Sequence, residues 1–149
     1  ALPTTGAPSP RTGHTAVWTE THMLVFGGTN TEVPGSAANL LADGAAYDPI
    51  TGLWTPLSST NAPSARFHHA AVWTGNEMLI VGGELTGGQL ATTGAAYRPE
   101  IGPWRPLSAT TATTAGQTGL WSGSEVLVFG LKGLQILDPA PAVHFYGKF

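Results

Sequence analysis

Side chains able to do chemistry are few in this chain. Its 149 residues hold six Lys/Arg, nine Asp/Glu and five His, and no cysteine. A thiolate nucleophile, a disulfide and a Cys-ligated zinc are therefore excluded. No Gly-x-Ser-x-Gly, His-Glu-x-x-His or phosphate-loop spacing occurs. The nine acids show no spacing suited to paired-carboxylate glycoside cleavage. No motif implies a cofactor or a metal. What remains is a set of polar residues in short clusters: Arg11 and His14, then Arg66, His68 and His69, then Gln117, with Glu84 on a later loop. Arginine offers paired donors to a carboxylate, so these residues form a polar, partly cationic set suited to an anionic or hydroxylated ligand. His14, His68 and His69 lack a recognisable metal-ligand spacing, and adjacent residues of a strand point to opposite faces.

The clusters recur because the chain repeats. Pro8-Ser9-Pro10-Arg11-Thr12-Gly13-His14-Thr15-Ala16-Val17-Trp18 matches Pro63-Ser64-Ala65-Arg66-Phe67-His68-His69-Ala70-Ala71-Val72-Trp73 at an offset of 55. Met23-Leu24-Val25-Phe26-Gly27-Gly28 maps onto Met78-Leu79-Ile80-Val81-Gly82-Gly83 at the same offset. Gly44-Ala45-Ala46-Tyr47-Asp48-Pro49 and Trp54 then map onto Gly94-Ala95-Ala96-Tyr97-Arg98-Pro99 and Trp104 at 50. A weaker third copy places Gly119-Leu120-Trp121 and Val126-Leu127-Val128-Phe129-Gly130 at a further 48, with Leu131 in place of the second glycine. Ala1-Leu2-Pro3 aligns with Pro56-Leu57-Ser58, the tail of a repeat. The repeats run over approximately 11–60, 66–110 and 114–149 of one unit, and 1–10 reads as the tail of a preceding blade or a closing segment.

Each repeat reads as four short strands. Strand a runs from His14 to Thr19, with a tight turn at 19–22 whose counterparts carry Gly75-Asn76 and Gly123-Ser124, both hairpin signals. Strand b, Met23 to Phe26, is apolar without alternation, as in a strand covered on both faces. Strand c ends at Pro49, and strand d, Leu53 to Leu57, carries a proline suited to an edge. Four antiparallel strands recurring every 45 to 55 residues predict an all-β fold, a β-propeller of four-stranded blades.

With four apolar residues before Gly27-Gly28 or Gly82-Gly83, and with Tyr47/Trp54 and Tyr97/Trp104 each seven apart, the chain resembles the kelch repeat. The resemblance covers residues 8–108 closely and 114–149 loosely. It implies a propeller, usually of six or seven blades, with strand a innermost. It does not imply one function, since kelch propellers serve as binding modules, enzymes and scaffolds. Copper-radical kelch oxidases need a Cys–Tyr cross-link, which a chain without cysteine cannot make.

About three blades per chain leave the ring open, so a second chain completing a six-blade ring is expected, or else the chain is part of a longer or engineered propeller. The leading functional reading is a non-catalytic module binding a protein or glycan on the rim that carries the b–c loops and d–a crossings. The alternatives are an isomerase- or mutarotase-type enzyme acting on a carbohydrate at the central channel, and a partial propeller with no ligand. A net charge of −3 without a basic stripe argues against a nucleic-acid partner. No run of 18 apolar residues spans a membrane. Low charge and abundant Thr, Ser, Gly and Ala suit an extracellular or periplasmic bacterial protein.

A role in the fold competes for every candidate residue. The recurrence of Arg11/Arg66 and His14/His69 at fixed repeat positions favours it: such an arginine would bond carbonyls of the neighbouring blade, and the histidine would bridge adjacent strands. The non-repeated His68, Gln117, Asn30, Glu32, Glu84 and Gln89 are then the better ligand candidates. Trp18, Trp73 and Trp121, like Trp54 and Trp104, are expected to pack between blades rather than stack on sugars. Tyr146 and Phe149 fall outside the pattern, as parts of a docking surface would.

Overall fold

The structure, a computed structural model, describes residues 2–30, 39–107, 116, 118–130 and 133–137. Glu32, Gln117, Tyr146 and Phe149 lie outside the described residues. Three antiparallel sheets follow one another along the chain. The first holds β1 (Thr15–Trp18), β2 (Met23–Phe26), β3 (Gly44–Asp48) and β4 (Leu53–Pro56). The second holds β5 (Ala70–Trp73), β6 (Met78–Val81), β7 (Gly94–Tyr97) and β8 (Trp104–Leu107). The third holds β9 (Thr118–Trp121), β10 (Val126–Gly130) and β11 (Gly133–Leu137). Each is a simple meander in which chain neighbours pair. Among the described residues there is no α-helix; a 3₁₀ turn spans Thr86–Gly88. The sheets are blades of a partial propeller, and the innermost strands β1, β5 and β9 lie side by side.

The second strand of each blade shows why blades need neighbours. Side chains alternate across a strand, so Leu24 and Phe26 leave β2 toward the second blade and meet Met78, Ile80, Ala95, Tyr97 and Trp104. From the other face of β6, Leu79 and Val81, with Ala70, Val72 and Ala96, meet Val126 and Val128 of the third. Every residue of β6 is buried. Each of these aliphatic side chains contributes about 1.5–3 kcal/mol through burial, which no isolated blade could collect on both faces.

Tyrosine and tryptophan form the outer part of each joint. Tyr97 opposes Trp104 across β7 and β8 with ring centres 4.9 Å apart, and Tyr47 opposes Trp54 at 5.0 Å. Trp104 is buried, touches Phe26 of the first blade at 4.9 Å and donates its Nε1–H to the Ser58 carbonyl at 2.8 Å. Trp54 makes the equivalent bond to the Pro3 carbonyl at 3.0 Å. The match extends further. Ala7 N–H bonds to the Thr4 carbonyl as Ala62 N–H bonds to that of Ser59, and Gly6 and Asn61 are both left-handed. Residues 3–10 therefore lie on the first blade as 58–65 lie on the second, in keeping with the alignment of Ala1-Leu2-Pro3 with a repeat tail.

The double glycines end strand b under two constraints. Gly28 and Gly83 have φ of +96° and +92°. A Cβ on Gly28 would stand 2.7 Å from the Thr12 carbonyl oxygen, and one on Gly83 would stand 2.7 Å from the His69 Cβ. Only glycine satisfies both the backbone angle and the close approach.

Candidate functional site

The residues before each strand a converge on the hub. His68 N–H donates to the Gly13 carbonyl at 2.9 Å, and Gly116 N–H donates to the His68 carbonyl at 3.0 Å. These three residues hold the same repeat position, and all are left-handed, with φ of +63°, +53° and +70°. A belt of main-chain hydrogen bonds thus links successive blades around the hub. Glycine enters this conformation without strain, whereas a histidine does so at a cost of about 1 kcal/mol. His68 is nevertheless exposed, with its ring 4.4 Å from that of Phe67. A side chain held there against backbone preference, at a position that glycine fills in both other copies, is a candidate for function.

His69 faces inward. Its Nε2 shares a 2.7 Å hydrogen bond with Thr15 Oγ1 of the first blade, its ring meets Phe26 edge-on at 5.8 Å, and its Nδ1 is buried without a partner among the described residues. Burial, then the nearby Arg66, His14 and His68, push its pKa down to about 3, so the ring is neutral at neutral pH. Three of the other sequence candidates thus lie near enough to His69 to act on it electrostatically. His14, the first-blade equivalent of His69, is exposed.

Arg66 is fully buried, and each of its five donors is engaged. Nε bonds to the Ser64 carbonyl, one terminal nitrogen to the carbonyls of Gly82 and Thr93 at 2.9 and 2.7 Å, and the other to the hydroxyls of Ser64 and Thr93. Burial brings its pKa down to about 10. Arg11 repeats the clasp with Ser9 and the Gly27 carbonyl, but Asp43 stands where Thr93 does and adds a carboxylate at 3.0 Å. Both arginines therefore close the gap between strands b and c of their own blade, not of the neighbouring blade as the repeat pattern suggests. The cause is positional: the residue before strand a lies beside the diverging ends of β2 and β3, or of β6 and β7. Bridging between blades falls instead to His69, to the main-chain belt and to the main chain of Arg66, whose carbonyl accepts from Gly28 N–H at 2.8 Å and whose N–H donates to the Leu41 carbonyl at 3.2 Å.

The remaining candidates divide. Glu84 is half-buried and pairs through its main chain with Phe67, which sets it beside His68 on the same rim. Asn30 and Gln89 are exposed on that rim's loops, and Gln117 lies outside the described residues. At the opposite end of the blades is a groove of about 540 Å³, lined in part by Glu20, His22, Leu57, Trp73, Tyr97 and Glu100. No motif in the sequence points to it, although one signal is present: Glu20 occupies the turn position held by Gly75 and Gly123, and all three have positive φ.

Comparison with known proteins adds two findings. The family model described as the KLHDC2/KLHL20/DRC7 Kelch-repeats domain matches residues 1–140. Among curated proteins, the Rho GTPase-activating protein gacHH of Dictyostelium discoideum is 34% identical over 79 residues, which are 51% of this chain and 5% of that protein. The chain thus corresponds to only a small part of that relative's length.

Proposed function

The chain belongs to the kelch-repeat family, and from that premise we propose that it is a non-catalytic protein-interaction module whose hub mouth receives an acidic segment of a protein partner. The observation carrying this reading is His68: exposed, left-handed, and unnecessary to a belt that Gly13 and Gly116 build without a side chain. Charge supports it. His14 and His68 are exposed and, like the buried Arg66, lie near enough to His69 to act on it electrostatically; the Arg66 guanidinium takes part in none of the ion pairs among the described residues. A buried cation without a carboxylate partner raises the local potential. Glu84 and Asp43 flank the mouth and limit where an acidic group would sit.

The test is to pan a random-sequence peptide display library against the immobilised chain and measure the affinity of the enriched peptides. Acidic peptides are expected, binding more weakly as salt rises and losing about tenfold with His68→Gly. That variant relieves backbone strain, so its fold should persist to within about 1 kcal/mol. Peptides indifferent to both salt and His68→Gly would overturn the reading. Enrichment on a glycan array with no peptide selected would replace the protein partner by carbohydrate.

A further inference from the structure

The joint between the first and second blades opens, at the end away from the hub mouth, into the groove of about 540 Å³. Alternation along the strands turns Leu24, Ala46 and Thr55 of the first blade toward it. From the second blade come Trp73 and Tyr97, and the exposed Glu20 and Glu100 line its edge. Two features leave the groove unfinished. Neither glutamate carboxylate has an ion-pair or hydrogen-bond partner among the described residues. The Trp73 Nε1–H is likewise buried without a partner among them, whereas Trp54 and Trp104 donate theirs to carbonyls. Glu20 also keeps a φ of +77° at a turn position that glycine fills in the other two copies, so its carboxylate is held there against backbone preference. Gly75, its counterpart on the second blade, lines the same groove, and a Cβ there would meet nothing within 4 Å.

The corresponding place on the second blade is filled from within the chain. Ala96 and Arg105 hold the positions of Ala46 and Thr55, Arg98 that of Asp48, and Glu77 that of His22. There the Glu77 carboxylate, 14% exposed, takes the guanidinium groups of Arg98 and Arg105 at 3.2 and 2.9 Å. The cleft beside them is about 270 Å³, half the volume of the first groove. With Asp48 and Thr55 in place of the two arginines, the first groove has no such cation of its own. His22 is the basic residue in its lining, and its Nδ1 shares a 2.9 Å hydrogen bond with Thr21 Oγ1. The chain thus shows at one blade what a carboxylate in this setting holds, and at the other leaves two carboxylates without it.

We propose that the groove between the first and second blades binds an arginine side chain of a protein partner, its guanidinium held by Glu20 and Glu100 against the aromatic wall of Trp73 and Tyr97. A flat guanidinium stacks on an aromatic face while its edge pairs with carboxylates, which neither a sugar nor an aliphatic side chain can do. The peptide around such an arginine brings carbonyls, the acceptors that an unpaired indole N–H lacks. The volume lies within the range of about 300–1,000 Å³ usual for ligand sites. This site is separate from the hub mouth and opposite to it in charge preference, and it stands whether or not the mouth takes an acidic segment.

Fluorine NMR of the intact chain labelled with fluorotryptophan tests this, the Trp73 resonance being assigned by its loss in Trp73→Phe. The probes are the capped peptide acetyl-Gly-Ala-Arg-Ala-Gly-amide and the same peptide with citrulline, the uncharged isostere of arginine. The arginine peptide should shift the Trp73 resonance saturably and bind more weakly as salt rises. The citrulline peptide should bind about tenfold less tightly or worse. Glu20→Gly restores the residue of the other two copies, and Glu100→Gln alters an exposed position, so circular dichroism should report an unchanged fold for both. Each should weaken binding about threefold, and the pair about tenfold. His68→Gly should leave this binding as it is, whatever it does at the hub mouth. A Trp73 resonance that no arginine peptide moves would overturn the proposal. Equal binding of the citrulline peptide, an affinity untouched by the double substitution, or a loss with His68→Gly would overturn it too. Methylguanidinium binding as tightly as the peptide would replace the protein partner by a free cation, and a shift with glucose or galactose alone would replace it by carbohydrate; either result overturns the assignment.

Discussion

His69 couples the fold to protons. Its folded-state pKa is about 3, while an unfolded histidine titrates near 6.5. Above about pH 6.5 neither state carries the proton, and folding bears no penalty. As the pH falls below that value the unfolded chain protonates first, and stability declines by up to about 1.4 kcal/mol per pH unit until the folded pKa is reached. Carboxylates add little between pH 6.5 and 5.5, so urea titrations at those two values isolate the effect. His69→Gln should show a dependence shallower by about 1 kcal/mol over that interval. Equal slopes in the two proteins would mean that the buried imidazole is protonated in the native state. Arg66 makes a different point at the same scale. Its charge is accommodated by carbonyls and hydroxyls alone, whereas Arg11 has Asp43, so the same guanidinium clasp works with or without a counter-ion.

At the level of elements, the turn out of strand b is the most constrained connection. Gly83 combines a positive φ with crowding: a Cβ there would meet the His69 Cβ at 2.7 Å and the Phe67 carbonyl oxygen at 2.9 Å. Gly75 has a φ of +101° and open space around it. Gly75→Ala should therefore cost about 1 kcal/mol, the backbone term alone, and Gly83→Ala distinctly more, about 3 kcal/mol, as main chain and His69 are forced to move. Thermal unfolding of the two variants side by side checks this; equal losses would show that the crowding is relieved at no cost. The strands themselves were readable in the sequence, because apolar runs, hairpin glycines and prolines encode local geometry that repeats. The inward-facing tryptophan of the second blade followed from the same regularity. What could not be read is which group crosses a joint. The Thr15–His69 bond links residues 54 apart whose meeting depends on how blades lean together, and the arginine clasp depends on how two strand ends diverge. His68 lies between these cases: the alignment sets it against two glycines, but the meaning of that substitution emerges only from its backbone angle.

For the whole molecule, the contrast between a middle blade and the two flanking it is decisive. The second blade is covered on both faces, while Trp18, Leu120 and Phe129 stay exposed on the other two, although Val25 and Ala45, on the face of the first blade that Trp18 shares, are buried. Exposed apolar faces of this kind seek cover. Association that covers them in the native state only makes stability depend on mass action. The unfolding temperature should accordingly rise with chain concentration in the parent protein and become independent of it in Phe129→Glu, as read by calorimetry across a wide dilution series. A constant temperature in both would place the whole stability within single chains.

The belt through Gly13, His68 and Gly116 has one more implication. Atoms common to every amino acid fix how far each blade is set along the ring axis, so the side chain at position 68 is released from any part in alignment. In a library randomised at that one codon, proline should fail, lacking the N–H and the positive φ that the belt needs, and the β-branched residues should be depleted, while the other folded members differ in what they capture and not in their architecture.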